Sequence, residues 1–217
     1  MPTEKDPVFH PQRDEKGKRV EIRNPSQGSA LSAWVQKDAI ALVVPGAEMP
    51  THVNGICISA WEDRPEDPKA WEALASEVGI EEPPFNVPAG FKPAAGVVIR
   101  EADGRFWVVA PTNAFAGYKA TFPKGRPDGK SMQAAALMEA FEESGLKVRL
   151  LRHLIDVART ESYTRYYLAE RLAGDPAKMG WESQAVMLVP QGKLPQVLNS
   201  AYDKPIIEAL KHDCLDN

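Results

Sequence analysis

The sequence has few cysteines, no excess of basic residues and no long apolar run, and each absence excludes a class of protein. Cys57 and Cys214 are the two cysteines and form no CxxC pair, which argues against a disulfide framework or a structural zinc site and favours a reducing compartment. The formal net charge of −4 does not indicate a nucleic-acid-binding surface. No segment approaches the roughly 18 apolar residues that a membrane span needs, and the polar N-terminus does not resemble a signal peptide. We therefore expect a cytoplasmic protein without a membrane or nucleic-acid partner.

The length and composition are those of an ordinary globular chain. With 217 residues, 43% of them hydrophobic, the chain can form one large domain or a main domain with a smaller one. Residues 1–17 are predicted to be a polar tail. Residues 18–90 contain strand-like runs at 18–23, 38–44 and 52–61, a helix over 67–79 capped by Asp67, and then a proline-rich boundary.

The role of residues 18–90 cannot be assigned from any motif. They form either a small separate α/β domain or an extension that packs on the rest of the chain. Three roles of residues 18–90 stay open. They could act as a lid, as a partner-binding module or as a dimerisation element, which would make the protein a homodimer. Residues 91–217 are predicted to be the main domain, a mixed α+β fold in which a strand, an Ala-Asp-Gly turn and a second strand precede a helix.

That helix, predicted over 132–144 between a Ser131 N-cap and Gly145, carries an unusual amount of negative charge. Glu139, Glu142 and Glu143 are neighbours at i, i+3 and i+4, and the like-charge pair at i and i+4 costs about 0.2–0.5 kcal/mol. They also lie near the end of the helix at which the dipole favours cations. Helical periodicity places them opposite the apolar side, on a face predicted to be exposed to solvent.

A bound divalent cation would make this cluster favourable, because carboxylate oxygens are preferred ligands of Mg²⁺ and Mn²⁺. The alternative is a solvated acidic face, which suits glutamate as a good helix former. The preceding Pro-Lys-Gly turn favours the metal site over the solvated face. Lys124 and the free backbone groups around Gly125 suit the anionic oxygens of a phosphorylated substrate. Together these features predict a phosphorylated substrate that a metal ion bridges to the protein.

The stretch from Gly125 to Leu146 resembles the Nudix box, GX5EX7REUXEEXGU, where U is a bulky aliphatic residue. Gly125 matches the opening glycine. Glu139 matches the glutamate that follows the arginine, and Glu142 and Glu143 match the adjacent pair of glutamates. Gly145 and Leu146 match the last two positions of the pattern. Four features depart from the pattern: the segment is one residue short, the arginine is replaced by Met138, the first glutamate by Lys130, and Ala140 is small for its position. The resemblance extends over roughly residues 92–212.

The resemblance implies an α/β/α sandwich with a mixed sheet and a metal-dependent hydrolase of a diphosphate linked to a further group. It implies that Glu139, Glu142, Glu143 and the carbonyl of Gly125 bind Mg²⁺ or Mn²⁺, with Glu142 and Glu143 in catalysis. Lys124 and Arg126 would contact phosphate. Glu182, in a loop after the box, is a candidate general base. An acidic residue of a surface loop without a catalytic role is an equal alternative interpretation of Glu182.

The C-terminal part of the chain resembles the branches of the family that hydrolyse dinucleoside polyphosphates, diphosphoinositol polyphosphates and oxidised nucleotides. The substrate implied is a small nucleotide, with a nucleoside or dinucleoside polyphosphate ahead of ADP-ribose. Tyr163, Arg165 and Tyr167 alternate on one strand face, where two aromatic rings and a guanidinium could hold a base and a phosphate. Ordinary cross-strand packing is the alternative. A rival function is a Nudix domain that binds nucleotide as a sensor or interaction module but hydrolyses it poorly, as the replacements at 130 and 138 would favour.

Overall fold

The computed structural model describes residues 6–77 and 79–213, so the predictions for residues 1–5, Val78 and residues 214–217 lie outside the described part. Its strands are β1 to β11, in chain order Val8–Arg13, Arg19–Ile22, Ala41–Val43, His52–Val53, Ile56–Cys57, Lys92–Arg100, Arg105–Pro111, Lys124–Gly125, Leu146–Ala158, Ser162–Gly174 and Ser183–Pro190. Its α-helices are α1 to α4, Pro68–Ser76, Met132–Ser144, Leu194–Val197 and Lys204–Asp213. Short 3-10 helices span Leu31–Val35, Thr112–Gly117, Pro176–Lys178, Gln191–Lys193 and Ala201–Asp203.

A seven-stranded mixed sheet organises the molecule. Its strand order is β3-β11-β7-β6-β10-β9, and β8 pairs with the middle of β6. Strand β10 runs parallel to β6, and the other pairs are antiparallel. One face packs on α1 and α2, and the other packs on α3 and α4. This arrangement confirms the predicted α/β/α sandwich with a mixed sheet.

Local signals in the sequence determine where α2 begins and ends. The Ser131 side chain accepts a hydrogen bond from the Ala134 backbone N–H, and Gly145 adopts a left-handed φ of 70°. A Cβ at position 145 would lie 2.4 Å from the carbonyl oxygen of Asp175, so both the conformation and the contact require glycine. The predicted limits of this helix, 132–144, are confirmed.

The N-terminal part of the chain differs from the prediction at two places. Within the predicted tail, Val8–Arg13 form strand β1, which pairs with β2. The strand run predicted over 52–61 is instead a hairpin, because Asn54 and Gly55 both have positive φ values, of 50° and 80°, as a tight primed turn requires. Within residues 6–77 and 79–213, no helix has the length and apolar content needed to cross a bilayer.

Residues 18–90 form an extension that packs on the sheet. Strand β3 pairs with β11 at the sheet edge, and Trp34 stacks on Trp107 with the ring centroids 5.8 Å apart. Arg105 is 1% exposed and donates a 2.5 Å hydrogen bond to the Trp34 carbonyl oxygen. Arg171 donates across the same boundary to the Val53 carbonyl oxygen at 2.8 Å. These buried contacts make the extension part of the core.

Candidate metal-binding and catalytic site

The turn before α2 is fixed by pairing with the sheet. Gly125 and Lys124 in β8 lie opposite Ala95 and Gly96 in β6, and the Val97 backbone N–H donates to the Pro123 carbonyl oxygen at 2.9 Å. This pairing holds the turn against the sheet where α2 passes above it. The Pro-Lys-Gly segment therefore has a defined position relative to the carboxylates of the helix.

Two carboxylates of α2 contact this turn. Glu143 Oε2 accepts a 3.0 Å hydrogen bond from the Lys124 backbone N–H. The carboxylate of Glu139 lies directly over Gly125, since a Cβ at that glycine would be 2.0 Å from Glu139 Oε1. A side chain at position 125 would therefore displace the Glu139 carboxylate. The structure brings Lys124, Gly125, Glu139 and Glu143 together in one place.

The predicted exposure of the glutamate face is wrong. Glu139 is 7% exposed, Glu143 is partly buried and only Glu142 is exposed. Helix α2 is buried on several sides, and the Lys124–Gly125 turn covers Glu139 and Glu143 on the face that periodicity assigns to solvent. The turn lies outside the helix and is held there by pairing with β6, so a helical wheel of α2 alone could not reveal the contact.

Burial and mutual repulsion make these carboxyl groups hard to ionise. Burial, followed by the charges of Glu143 and Glu142, raises the pKa of Glu139 to about 9. Burial raises the pKa of Glu143 to about 7, although Lys124 opposes the shift. The carboxyl groups of Glu139 and Glu143 therefore hold their protons more tightly than free glutamate does. At neutral pH the cluster lacks the positive charge that would fully stabilise its ionised form.

Glu142 and Glu182 extend the cluster on the outer side. The Gly180 backbone N–H donates to the Glu142 carbonyl oxygen at 2.8 Å, which ties the loop that carries Glu182 to the C-terminal end of α2. Burial, followed by the charge of Glu182, raises the pKa of Glu142, and Lys130 opposes this shift. Burial, followed by the charge of Glu15 in the N-terminal hairpin, raises the pKa of Glu182.

The donor set fits a hard divalent cation. Among residues 6–77 and 79–213, no three acidic, histidine or cysteine side chains already surround a single point as a finished metal site would. The carboxylates of Glu139 and Glu143 nevertheless meet at a glycine turn, and no ion pair joins Glu139 to a cation in the described part of the chain. A cation with oxygen ligands would supply the missing charge.

The side chains predicted to hold a base and a phosphate are engaged with the proline-rich linker. The Arg165 guanidinium, 2% exposed, pairs with Asp156 at 2.8 Å and with Glu82 at 2.7 Å. The Tyr167 hydroxyl donates to Glu82 Oε2 at 2.9 Å, and the Tyr163 ring stacks on Phe85 at 5.4 Å. The three residues do share a strand face, but their polar groups already have protein partners, which favours the packing alternative.

Of the other predicted phosphate contacts, Arg126 is exposed and Lys124 is partly buried. The Lys124 ammonium lies 5.3 Å from the centroid of the Tyr118 ring. Arg159 is 4% exposed, and its guanidinium pairs with buried Asp203 at 2.8 Å. Lys124 is therefore the predicted phosphate contact whose charge acts on Glu139 and Glu143.

Sequence reasoning missed a cleft beside this cluster. It has a volume of about 610 Å³, and its lining includes Gln12 from the N-terminal hairpin and Trp61 and Arg64 from the extension, together with Glu142 and Glu182. The Gln12 amide donates to the Met179 carbonyl oxygen at 3.2 Å, which holds the N-terminal hairpin against the loop that carries Glu182. No local motif marks these residues, because only the packing of the extension brings them to the site.

Comparisons with known proteins agree with this fold. A family model described as a NUDIX domain matches residues 90–210, and no curated protein matches the chain at a significant level. A solved NUDIX hydrolase from Nitrosomonas europaea is 15% identical with a TM-score of 0.50, and the match covers 57% of this chain and 90% of that one. An Ap4A hydrolase from C. elegans is 18% identical with a TM-score of 0.49, covering 57% and 99%. An ADP-ribose pyrophosphatase from Streptococcus suis is also 18% identical, with a TM-score of 0.45 and coverage of 55% and 87%.

Proposed function

Because the chain belongs to the NUDIX family, whose members hydrolyse diphosphate linkages, we propose that it is a metal-dependent hydrolase of a nucleoside diphosphate linked to a further group. A nucleoside or dinucleoside polyphosphate is the first candidate substrate. The observation that carries the proposal is the contact of two hard-to-ionise carboxylates, Glu139 and Glu143, with the Lys124–Gly125 turn.

Each residue of this site has a proposed role. Glu139 and Glu143 hold Mg²⁺ or Mn²⁺ together with the Gly125 carbonyl oxygen, and Glu142 is a further ligand or takes part in catalysis. Such a cation neutralises phosphate oxygens and lowers the pKa of a water molecule. Glu182 is the candidate base that takes the proton of the attacking water. Its raised pKa suits this role, because a carboxylate with a higher pKa accepts a proton more readily.

The phosphate contacts are proposed to come from Lys124 and Arg126, which flank Gly125. Lys124 is partly buried and next to the carboxylates, so its ammonium group can bind a phosphate oxygen. Tyr163, Arg165 and Tyr167 are not included in this set, since Glu82, Asp156 and Phe85 occupy them. Their proposed role is to anchor the linker.

The decisive experiment is phosphate release from a panel of nucleoside polyphosphates, dinucleoside polyphosphates, nucleotide sugars and ADP-ribose with Mg²⁺ or Mn²⁺. Replacing Glu143 by Gln keeps the size of the side chain and removes its charge. We expect turnover to fall by about a hundredfold or more, as loss of a metal ligand removes several kcal/mol of transition-state stabilisation. Glu208→Gln, an exposed change in α4, should leave turnover unchanged.

A second candidate function is a nucleotide sensor or interaction module with little turnover. It is favoured by Met138 and Lys130, which replace the arginine and the first glutamate of the family pattern. The same panel separates the two functions, because a sensor would bind one of these compounds without releasing phosphate from it. Absence of metal-dependent release from every substrate, with binding intact, would reject the hydrolase.

A further inference from the structure

The cleft beside the carboxylate cluster has one wall that comes from outside the family match. Trp61 and Arg64 line it from the N-terminal extension, together with Glu142 and Glu182, whereas the family model begins at residue 90. At about 610 Å³, its volume is within the range of about 300–1,000 Å³ typical of small-molecule sites. This wall can therefore give the chain a binding preference that the family pattern does not encode.

Trp61, which lines this wall, carries a buried hydrogen-bond donor without a partner in the described part of the chain. The residue is 7% exposed, and within the described part of the chain its buried Nε1–H has no hydrogen-bond partner. The ring is fixed edge-on against Trp71 and Phe141, with centroids 5.7 and 5.6 Å away, and the Lys147 ammonium lies 4.8 Å from its centroid. Buried N–H groups usually have an acceptor, so a rigidly held donor without one points to a ligand.

The other lining residues indicate an uncharged aromatic ligand. Phe141 and Trp181 are partly buried and offer apolar ring surface to the cleft. The charged lining is mainly acidic, with carboxylates that outnumber the cations: Glu15, Glu62, Glu142, Asp175 and Glu182 against Arg64 and Lys178. An acidic cleft repels a polyanionic group such as a phosphorylated inositol, whereas a neutral base can stack on an aromatic ring.

We propose that this cleft binds the nucleoside part of the substrate. The base stacks on Trp181 and accepts a hydrogen bond from Trp61 Nε1, and the carboxylates accept hydrogen bonds from amino or hydroxyl groups. The phosphates extend from the cleft towards Glu142 and the metal ligands, a position that rests on the proposed function. It assigns the N-terminal extension a role in substrate selection.

The test measures binding of adenosine, guanosine, cytidine and uridine 5′-monophosphates to the full-length protein by calorimetry, without divalent metal. Trp61→Phe removes the N–H donor and keeps a ring in place. We expect the preferred nucleotide to bind about 3- to 10-fold more weakly, the effect of losing one neutral hydrogen bond. Trp34→Phe is the matched control, a buried tryptophan of the extension that stacks on Trp107 away from the cleft, and should leave affinity unchanged.

A second variant keeps the test valid if Trp61→Phe does not fold. Trp181→Leu removes the stacking surface, and we expect about fivefold weaker binding or more, with a melting curve confirming the fold. Inositol hexakisphosphate should bind more weakly than the preferred nucleotide. Unchanged nucleotide affinity in both variants, or tighter binding of the inositol compound, would overturn the proposal. Trp61-dependent nucleotide binding without metal-dependent hydrolysis would reject the proposed enzyme activity and keep the nucleoside site.

Discussion

A glutamate that is buried next to two other glutamates is an unusual residue, and the pH behaviour of Glu139 should show it. The ordinary pKa of this group is 4.5, and burial with the neighbouring charges raises it to about 9 in the folded protein. Between these values the folded state binds the proton more tightly than the unfolded chain does. This contribution to the free energy of unfolding is complete below pH 4.5 and is lost as the pH rises to about 9.

We therefore expect the melting temperature in EDTA to decrease as the pH rises from about 5.5 to about 8.5. Millimolar Mg²⁺ should reverse the decrease, because the cation replaces the proton and its affinity grows with pH. Glu139→Gln should flatten the pH dependence and abolish the response to Mg²⁺, while Glu208→Gln should behave as the wild type. The measurement is thermal unfolding followed by circular dichroism; equal profiles for wild type and Glu139→Gln would contradict the metal-site assignment.

Among the elements, those with local signals could be predicted and those that depend on distant partners could not. The Ser131 cap and Gly145 predicted α2, and the turn ending at Gly104 predicted the β6–β7 hairpin. Strand β1 was missed because its sequence is polar and contains Pro11, which only an edge position tolerates. The burial of Glu139 was missed because its carboxylate lies against the Gly125 turn, which pairing with β6 holds in place and which a helical wheel does not include.

The linker between the extension and β6 is a second case in which a distant partner decides the structure. Glu82 accepts hydrogen bonds from the Arg165 guanidinium at 2.7 Å, from the Tyr167 hydroxyl at 2.9 Å and from the Gln133 amide. A proline-rich segment that reads as a flexible boundary is thereby attached to both β10 and α2. The alternation of Tyr163, Arg165 and Tyr167 predicted the shared face correctly but gave no sign of what covers it.

Replacing Glu82 by Ala should destabilise the protein by about 1–3 kcal/mol, since it leaves the buried Tyr167 hydroxyl and part of the Arg165 guanidinium without an acceptor. Glu81→Ala, an exposed neighbour on the same segment, should change the free energy of unfolding by less than about 0.5 kcal/mol. Urea unfolding of the two variants beside the wild type measures both values. Equal effects of the two changes would show that the linker is not held by Glu82.

At the scale of the whole molecule, the extension and the family domain share a hydrophobic core. Trp34, Trp61 and Trp71 belong to the same buried cluster as the sheet residues Val97, Trp107 and Tyr167. The carbonyl oxygens of Trp34 and Val53 accept hydrogen bonds from the buried side chains of Arg105 and Arg171. The sequence left open whether residues 18–90 are a separate domain, because these contacts join positions more than 70 residues apart and leave no local pattern.

Removal of residues 1–90 should therefore abolish folding of the remaining chain. Loss of a single buried tryptophan costs about 3–5 kcal/mol, and the truncation removes three together with strand β3 and the acceptors of two buried arginines. This sum exceeds the total stability of about 5–15 kcal/mol that a typical domain has. A shorter truncation, of residues 1–24, removes β1 and β2 but keeps these tryptophans and should fold with a lower melting temperature. Circular dichroism and tryptophan fluorescence of both fragments measure the outcome; a soluble 91–217 fragment that melts cooperatively and hydrolyses nucleotide would establish the family domain as independent.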